Sequence, residues 1–213
     1  MGRSYQQACA LALALDHVGE RWTLLIVREL LVAPRRYSEL RDSLPGIATN
    51  LLADRLRDLE TAGIVRARSD EGATFYELTE TGRELEPAVL ALVRWGGRWL
   101  ADVPPDASWR PHWLVVALRA LYPPTVSDDL PVTEVRVEGT ALHLRADDGT
   151  LVVGLGPADR PELVLTTDAE TVMGIAAGVV DLDDAVSARK VAVAGRTTDL
   201  RRLRRAIRAG GGS

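Results

Sequence analysis

The sequence has few cysteines and histidines and no long uncharged apolar run. It has one cysteine, Cys9, among 213 residues, which excludes an internal disulfide and a zinc site made of several cysteines. The three histidines, His17, His112 and His143, lie far apart without metal-ligand spacing. No run of about 18 uncharged apolar residues exists, so no membrane span is predicted. The single cysteine and the lack of a signal-peptide pattern predict a reducing cytoplasm.

The sequence has almost no lysine and no excess of basic over acidic residues. The 26 basic side chains include one lysine, Lys190, and are outnumbered by 30 acidic ones, for a net charge of −4. The sequence therefore lacks the basic excess of a protein that coats nucleic acid non-specifically. Any binding to nucleic acid must use a local group of arginines, whose planar guanidinium suits phosphate and guanine.

Motifs of catalysis are missing as well. The sequence contains neither a Gly-x-Ser-x-Gly nucleophile elbow nor a phosphate-binding P-loop. The acidic pairs Asp147-Asp148 and Asp183-Asp184 are adjacent in sequence, so their side chains diverge and are interpreted as turn and cap residues. The sequence therefore predicts a protein that is not an enzyme and that uses no cofactor or metal.

A proline-containing segment divides the chain. Residues 101–110 include Pro104 and Pro105, which cannot continue the preceding helix. We interpret this segment as a linker between a mainly α-helical domain, residues 1–100, and an α+β domain, residues 111–213. A length of 213 residues suits two domains of about 100 residues each.

The first domain has the pattern of helices followed by a β-hairpin. Periodicity predicts helices near residues 7–18, 22–31, 37–44, 49–62 and 80–100, and strands at 64–68 and 74–78. In the fourth helix Leu52, Leu56 and Leu59 share one face. A helix with a leucine-lined back and a polar front suits the major groove of DNA. That polar front carries Asn50, Ala53, Asp54 and Arg57.

Several motifs resemble those of the HxlR-type transcriptional regulators, a branch of the MarR-like winged helix-turn-helix proteins. They are GERWTLLIVRELL (19–31), PRRYSELRDSLPGI (34–47), LLADRLRDLETAGIV (51–65) and YELTETGREL (76–85). The resemblance covers about residues 8–100. It implies a homodimer that binds double-stranded operator DNA, with dimer contacts from the first helix and from the helix at 80–100.

The resemblance and the geometry of such motifs give a set of expected DNA contacts. Arg35 and Arg36 precede a helix that would cross the DNA backbone, and we expect them on phosphates. Asn50 and Arg57 are expected on base edges or phosphates, with ordinary surface positions as the alternative. The complete predicted set is Arg35, Arg36, Ser38, Thr49, Asn50, Ala53, Asp54, Arg55, Arg57, Arg66 and Arg68.

Some members of this set have competing interpretations. Arg55 lies beside the groove face, where an internal salt bridge and a phosphate contact are equally compatible with the pattern. Arg66 and Arg68 share one strand face, which is either the solvent side or a DNA contact. Thr49 is predicted to cap the recognition helix, because Ala48 stands where the family commonly has serine.

Cys9 lies where relatives in this family carry a cysteine that in some members senses oxidants or electrophiles. The alternative is a small buried hydrophobic residue. The sequence places no obvious lysine or histidine beside it, and it offers no second cysteine to resolve a sulfenic acid. Cys9 is therefore a candidate redox sensor only through an intersubunit disulfide or a mixed adduct.

The second domain alternates between short strands and helices. Its strands are predicted at 132–137, 141–145, 151–155, 163–167 and 191–193, and we expect a curved antiparallel sheet backed by helices. The motifs DGTLVVGLG (148–156), PELVLTTDAETVMGIAAGVVDLDDAV (161–186) and RKVAVAGRTTDLRRL (189–203) resemble the sterol-carrier-protein-like fold. This resemblance implies a hydrophobic tunnel. Its expected ligand contacts, each a core residue by default, are Trp113, Leu144, Val164, Met173 and Ile175.

Three functional hypotheses follow from the sequence. The first is a homodimeric transcriptional regulator whose second domain binds a hydrophobic small-molecule effector. The second is a protein whose main role is binding lipid or another hydrophobic ligand, with a winged helix that contacts other proteins. The third is a regulator whose second domain has no ligand and only braces the dimer.

Overall fold

The structure, a computed structural model, describes residues 4–104, 106–122, 124–177 and 179–210. Pro105 of the predicted linker, and the ends 1–3 and 211–213 of the two predicted domains, lie outside the described residues. The chain forms two compact units, which we call the N-terminal unit (Met1–Val89) and the C-terminal unit (Leu90–Ser213). Among the described helices, none is both long and apolar enough to cross a membrane.

The N-terminal unit combines helices with a small sheet, as expected for a winged helix. The sheet is antiparallel in the order β1-β3-β2. The short strand β1 was not predicted, because two residues are too few to show alternation. The elements are α1 (Ala10–Val18), α2 (Thr23–Val32), β1 (Arg35–Arg36), α3 (Tyr37–Ser43), α4 (Thr49–Thr61), β2 (Val65–Asp70), β3 (Ala73–Leu78), α5 (Glu80–Arg83) and α6 (Glu86–Gly96), of which α6 contains the division between the units.

The core of the N-terminal unit sets the position of α4. Ile26 of α2, Leu40 of α3 and Leu52 of α4 are completely buried, and Leu52 belongs to the leucine face predicted for the fourth helix. Between α3 and α4 the chain turns tightly, and the Ile47 N–H donates to the Leu44 carbonyl oxygen at 3.1 Å. The predicted helix-turn-helix is therefore confirmed as α3, this turn and α4.

The single helix predicted over residues 80–100 is wrong. The structure has α5, α6 and a 3-10 helix, Gly97–Asp102, in its place. Pro87 lies in the first turn of α6, where its missing N–H is tolerated, but inside a continuous helix it would remove one backbone hydrogen bond. The chain therefore starts a new helix at Glu86.

The C-terminal unit contains a five-stranded sheet and several helices. The sheet order is β6-β5-β4-β7-β8. Asp168 caps α8, because its Oδ1 accepts from the Thr171 N–H at 2.7 Å. The elements that follow α6 and the 3-10 helix are a second 3-10 turn (Pro111–Trp113), α7 (Leu114–Leu121), β4 (Thr133–Val137), β5 (Thr140–Asp147), β6 (Thr150–Leu155), β7 (Leu163–Thr167), α8 (Ala169–Ala176), α9 (Leu182–Ser187), β8 (Ala192–Gly195) and α10 (Thr197–Gly210).

The predicted antiparallel sheet is wrong in one pairing, because the sheet is mixed. Strand β7 runs parallel to β4, with Leu163 opposite Thr133, whereas the other pairs are antiparallel. After β6 the chain crosses back, and the Ala158 N–H donates to Glu134 Oε2 at 2.9 Å on the way. It thus enters β7 at the end where β4 begins. Alternation predicts where strands lie but not their direction.

Candidate nucleic-acid interface and apolar cavity

Helix α4 presents one apolar and one polar face. Leu52, Leu56 and Leu59 are buried against the N-terminal unit. Asn50, Asp54 and Arg57 are exposed on the other side, and Ala53 is half-buried beside them. Because the apolar face fixes the helix to the core, the polar face is held outward, where it is accessible to a groove about 12 Å wide.

The start of α4 is held by its neighbour rather than by its own cap. The N-cap residue is Ala48 and Thr49 is the first helical residue, so the predicted cap by the Thr49 side chain is wrong. The Tyr37 hydroxyl instead donates to the Thr49 carbonyl oxygen at 2.7 Å, which ties α3 to α4. Ser38, next to Tyr37 on α3, is exposed, as is Thr49 itself.

Arg57 makes one ion pair on the exposed face of α4. Its Nη1 lies 2.9 Å from Asp54 Oδ1, one turn earlier, and the side chains are 71% and 56% exposed. Exposed pairs of this kind contribute about 0–1 kcal/mol to stability. A phosphate or a guanine edge could therefore replace Asp54 as the partner of Arg57 at little cost.

Arg55 lies in a different environment from Arg57. Its side chain is only 18% exposed, and its Nη2 lies 2.9 Å from Glu20 Oε2 while Nη1 lies 3.1 Å from Asp58 Oδ2. Of the two interpretations left open by the sequence, the structure shows the internal ion pair. Arg55 joins α4 to the segment before α2.

Arg35 and Arg36 follow each other on β1 and point to opposite sides of the sheet. Arg35 pairs with Tyr76, and its Nε and Nη2 are buried without a hydrogen-bond partner among the described residues. Arg36 is exposed, and its guanidinium lies 4.9 Å from the centre of the Phe75 ring. Arg36 is thus better placed than Arg35 for a ligand outside the unit.

The hairpin β2–β3 holds two further predicted arginines. Arg66 Nε donates to Glu77 Oε1 at 2.7 Å. Arg68 Nη1 lies 2.9 Å from Asp70 Oδ2 and its Nε 3.6 Å from Glu77 Oε2. The hydrogen bond that Asp70 accepts from Arg68, together with the negative charge of Asp70, raises the pKa of Arg68, so this arginine stays charged. Both arginines remain largely exposed while Glu77 is buried.

Phe75 and Glu77 also belong to this surface, although neither was among the residues predicted to contact DNA. They lie two positions apart on β3 and therefore on the same face of the sheet. The sequence did contain one signal for them. Phe75 and Glu77 alternate on one predicted strand, as Arg66 and Arg68 do on the other, and in the structure Phe75 pairs with Arg68 and Glu77 with Arg66. The meaning of this alternation depends on the strand register, which the hairpin turn alone does not define.

A separate apolar cavity lies in the C-terminal unit, with a volume of about 40 Å³. Two threonines line its wall, and their hydroxyls donate to backbone carbonyl oxygens: Thr133 to that of Pro131 at 2.8 Å and Thr167 to that of Lys190 at 2.9 Å. Burial raises the pKa of Tyr122, so this phenol is uncharged. The described lining residues are Leu118, Tyr122, Thr133, Val135, Leu144, Leu165, Thr167, Val172, Ile175, Leu182, Val191 and Leu203.

The structure brings only part of the predicted ligand set to this cavity. Leu144 and Ile175 line it. Val164 alternates with Leu163 and Leu165 and therefore faces the other side of the sheet. Met173 and Trp113 are not among its described lining residues. Trp113 instead packs edge-on against Trp109, with ring centres 6.2 Å apart.

Cys9 is exposed at the N-terminal end of α1. The backbone N–H groups of Ala12 and Leu11 lower the pKa of its thiol, because they stabilise the thiolate. The sequence shows no nearby lysine or histidine for this task, and the backbone donors converge on the thiol only once the helix forms. The interpretation of Cys9 as a buried hydrophobic residue is wrong.

Each unit also exposes large apolar side chains. On α1, Leu11 and Leu15 are exposed. On α6 and the 3-10 helix after it, Leu92, Trp95 and Trp99 are exposed, with the two indole rings in edge contact at 4.5 Å. Clusters of this kind are typical of surfaces that bind another protein.

Comparison with known proteins places the chain in a family. Residues 17–104 match the family model of the HxlR-like helix-turn-helix. An HTH-type transcriptional regulator of Synechocystis sp. is 37% identical over 95 residues, which cover 43% of this chain and 70% of that protein. One of Mycobacterium tuberculosis is 44% identical over 90 residues, or 41% of this chain and 56% of that protein.

A solved structure also matches part of the chain. The redox regulator HypR in its oxidized form is 33% identical, with coverage of 42% of this chain and 96% of that chain, at a TM-score of 0.41. These matches concern less than half of the present chain. The match to the family model and the Synechocystis relative, of which this chain covers 70%, show that the chain belongs to the HxlR-like helix-turn-helix family.

Proposed function

We propose that this protein is a transcriptional regulator that binds operator DNA sequence-specifically through α4. The observation that carries the proposal is the polar face of α4, held outward by the burial of Leu52, Leu56 and Leu59. Its matched relatives are HTH-type transcriptional regulators. The helix before it, α3, would cross the DNA backbone.

The proposed contacts divide into base edges and phosphates. Asn50 and Arg57 read base edges, with Ala53 close to the groove floor and Asp54 accepting from a cytosine amino group. The residues proposed to contact the DNA backbone are Arg35, Arg36, Ser38, Thr49, Arg66 and Arg68. Arg35 would do so through its remaining guanidinium nitrogen, Nη1. Arg55 belongs to this set only if DNA displaces its present carboxylate partners.

The protein is proposed to act as a homodimer. Paired recognition helices about 34–36 Å apart would meet successive major grooves. The exposed apolar side chains of α1, and separately those of α6, support this proposal because burial against a second copy would remove them from water. We keep residues 1–100 as the proposed DNA-binding and dimerisation domain, with 101–110 as linker.

The C-terminal part, residues 111–213, is proposed to bind a hydrophobic effector in a sterol-carrier-protein-like domain. The apolar cavity behind Leu144 and Ile175 supports this proposal. A cavity of about 40 Å³ is far smaller than the roughly 300–1,000 Å³ of typical ligand pockets, so an effector must push its walls apart. If no effector opens the cavity, the cavity is a packing defect, and residues 111–213 only brace the dimer.

A gel shift with the DNA upstream of the protein's own gene tests the proposal. We expect a retarded band that excess unrelated DNA does not remove, and a complex containing two protein chains. Equal binding to all sequences, or no binding, would overturn the role in operator recognition. Retention of hydrophobic probes without any DNA binding would favour the alternative function, a ligand-binding protein.

The proposed effector is tested by measuring the melting temperature of the full chain with each compound of an apolar library, where a bound compound raises it.

A further inference from the structure

One face of the small sheet in the N-terminal unit carries a row of three side chains. Arg36 of β1 lies opposite Phe75 of β3, and Phe75 lies opposite Arg68 of β2. Because directly paired residues point to the same face, the order across the sheet is arginine, phenylalanine, arginine. The flanking strands lie about 4.8 Å from β3 on either side, so the two arginines start about 10 Å apart.

Both guanidinium groups lie against the central ring. The distance from the Arg36 Cζ to the centre of the Phe75 ring is 4.9 Å, and that from the Arg68 Cζ is 5.8 Å. These distances are within the range of cation–π attraction. Both arginines are nevertheless exposed, and Arg68 Nη1 donates to Asp70 Oδ2 at 2.9 Å, an exposed partner that a phosphate must displace.

Glu77, which is on the same face of the sheet, also holds Arg68 in place. Glu77 follows Phe75 by two residues on the same face and is only 8% exposed. Its Oε2 lies 3.6 Å from Arg68 Nε, while its Oε1 accepts from Arg66 at 2.7 Å. A buried carboxylate and an aromatic ring therefore hold Arg68 from two sides.

We propose that Phe75 is a positioning residue for the DNA backbone, which holds Arg36 and Arg68 in one row so that they bind two phosphates of one duplex. This inference rests on the proposed function. A free arginine must lose rotamer freedom when it binds phosphate, and an arginine already stacked on a ring loses less. Phe75 acts through the arginines and needs no contact with DNA itself.

Charge-neutral substitutions at Phe75 test this role. Phe75→Leu keeps an apolar side chain and the net charge but removes the ring, whereas Phe75→Tyr and Phe75→Trp keep an aromatic face. We expect Phe75→Leu to weaken binding to the upstream DNA about 5- to 30-fold. The slope of log K against log salt should become shallower by about 1 to 2, since each phosphate contact contributes about 0.9. Tyrosine and tryptophan should keep the wild-type slope.

A loss caused by misfolding would show itself in the melting temperature, which is measured for every variant. Arg36→Gln, at an exposed position, should make the slope shallower by about 1 in the wild-type background and by less in the Phe75→Leu background. A Phe75→Leu protein that melts like the wild type and keeps its slope overturns this inference alone. Failure of the wild-type protein to bind any DNA overturns the proposed function together with it.

Discussion

The guanidinium of Arg55 lies 2.9 Å from the carboxylate of Glu20, which is 35 positions earlier in the chain. This ion pair joins the recognition helix α4 to the segment that leads into α2. Arg55 is mostly buried and Glu20 is 55% exposed. The pair therefore fixes α4 on the N-terminal unit, and its strength is reduced by solvent on the side of Glu20.

Replacing Arg55 should affect stability more than DNA binding. We expect Arg55→Ala to lower the free energy of unfolding by about 1 kcal/mol, with a coupling to Glu20→Gln of about 0.5 kcal/mol. Urea denaturation of the two single variants and the double variant measures both values. Arg57→Ala, on the exposed face, is the matched control and should leave stability nearly unchanged. A large drop in the salt dependence of DNA binding in Arg55→Ala would show a phosphate contact instead.

The polar face of α4 should determine which DNA sequence is bound. We expect Asn50→Ala and Arg57→Ala each to weaken binding to the cognate site by about 1–3 kcal/mol, because a base contact is lost. Binding to unrelated DNA should change less. Arg36→Ala should weaken binding to all sequences alike. Fluorescence anisotropy with cognate and scrambled duplexes measures the two effects, and equal losses on both duplexes would place Asn50 and Arg57 on the backbone.

Gly82 in α5, the short helix after the hairpin, should not tolerate substitution by a residue with a side chain. A Cβ there would overlap the Ile64 carbonyl oxygen, and the Thr79 hydroxyl already caps the turn by accepting from the Gly82 N–H at 3.1 Å. We expect Gly82→Ala to destabilise the N-terminal unit by about 1–3 kcal/mol. Gly96→Ala is the control, since among the described residues no atom beyond its chain neighbours and its own helix backbone lies within 4 Å of the added Cβ. Thermal unfolding of both variants tests the difference, and equal melting temperatures would contradict it.

The Cys9 thiol should react at lower pH than a free thiol. Its pKa is lowered by the N–H groups of Ala12 and Leu11, so a larger fraction is thiolate at any given pH. We expect the midpoint of the alkylation rate against pH to lie below that of free cysteine. Leu11→Pro removes one donor in the first turn, where proline is tolerated, and should raise this midpoint.

The same cysteine gives a test of oxidant sensing. If Cys9 is the sensor, diamide should abolish DNA binding by the wild-type protein and leave the Cys9→Ser variant unaffected. Loss of binding in both proteins would remove the sensor hypothesis, because no other cysteine is present in the sequence.

Acid should destabilise the C-terminal unit in part through Asp168. Hydrogen bonds from the Thr171 backbone and side chain lower the pKa of Asp168 below its usual value. Its contribution is therefore fully present above the unfolded pKa of about 3.9 and is lost as the pH falls through the lower folded value. Asp168→Asn should reduce the drop in melting temperature between about pH 6 and about pH 2.5. Asp159→Asn, at an exposed position, serves as the control for the loss of one charge.

Local patterns determined most of the elements of this protein. The leucines of α4, the alternation of β4 to β7 and the cap at Asp168 depend on residues a few positions apart, so a short stretch of sequence contains the information. The same is true of the polar face with Asn50 and Arg57. The helix-turn-helix and its outward face could therefore be predicted from the amino-acid sequence alone.

Tertiary structure alone decided how distant segments meet. The partner of Arg55, the burial of the Arg35 Nε and Nη2 atoms, and the row of Arg36, Phe75 and Arg68 all depend on pairings between segments that are distant in sequence. The direction of β7 and the small volume of the cavity depend on the path of a connection and on the packing of many side chains. Periodicity fixes which face of an element is apolar, whereas register, direction and side-chain packing follow from the free energy of the whole unit.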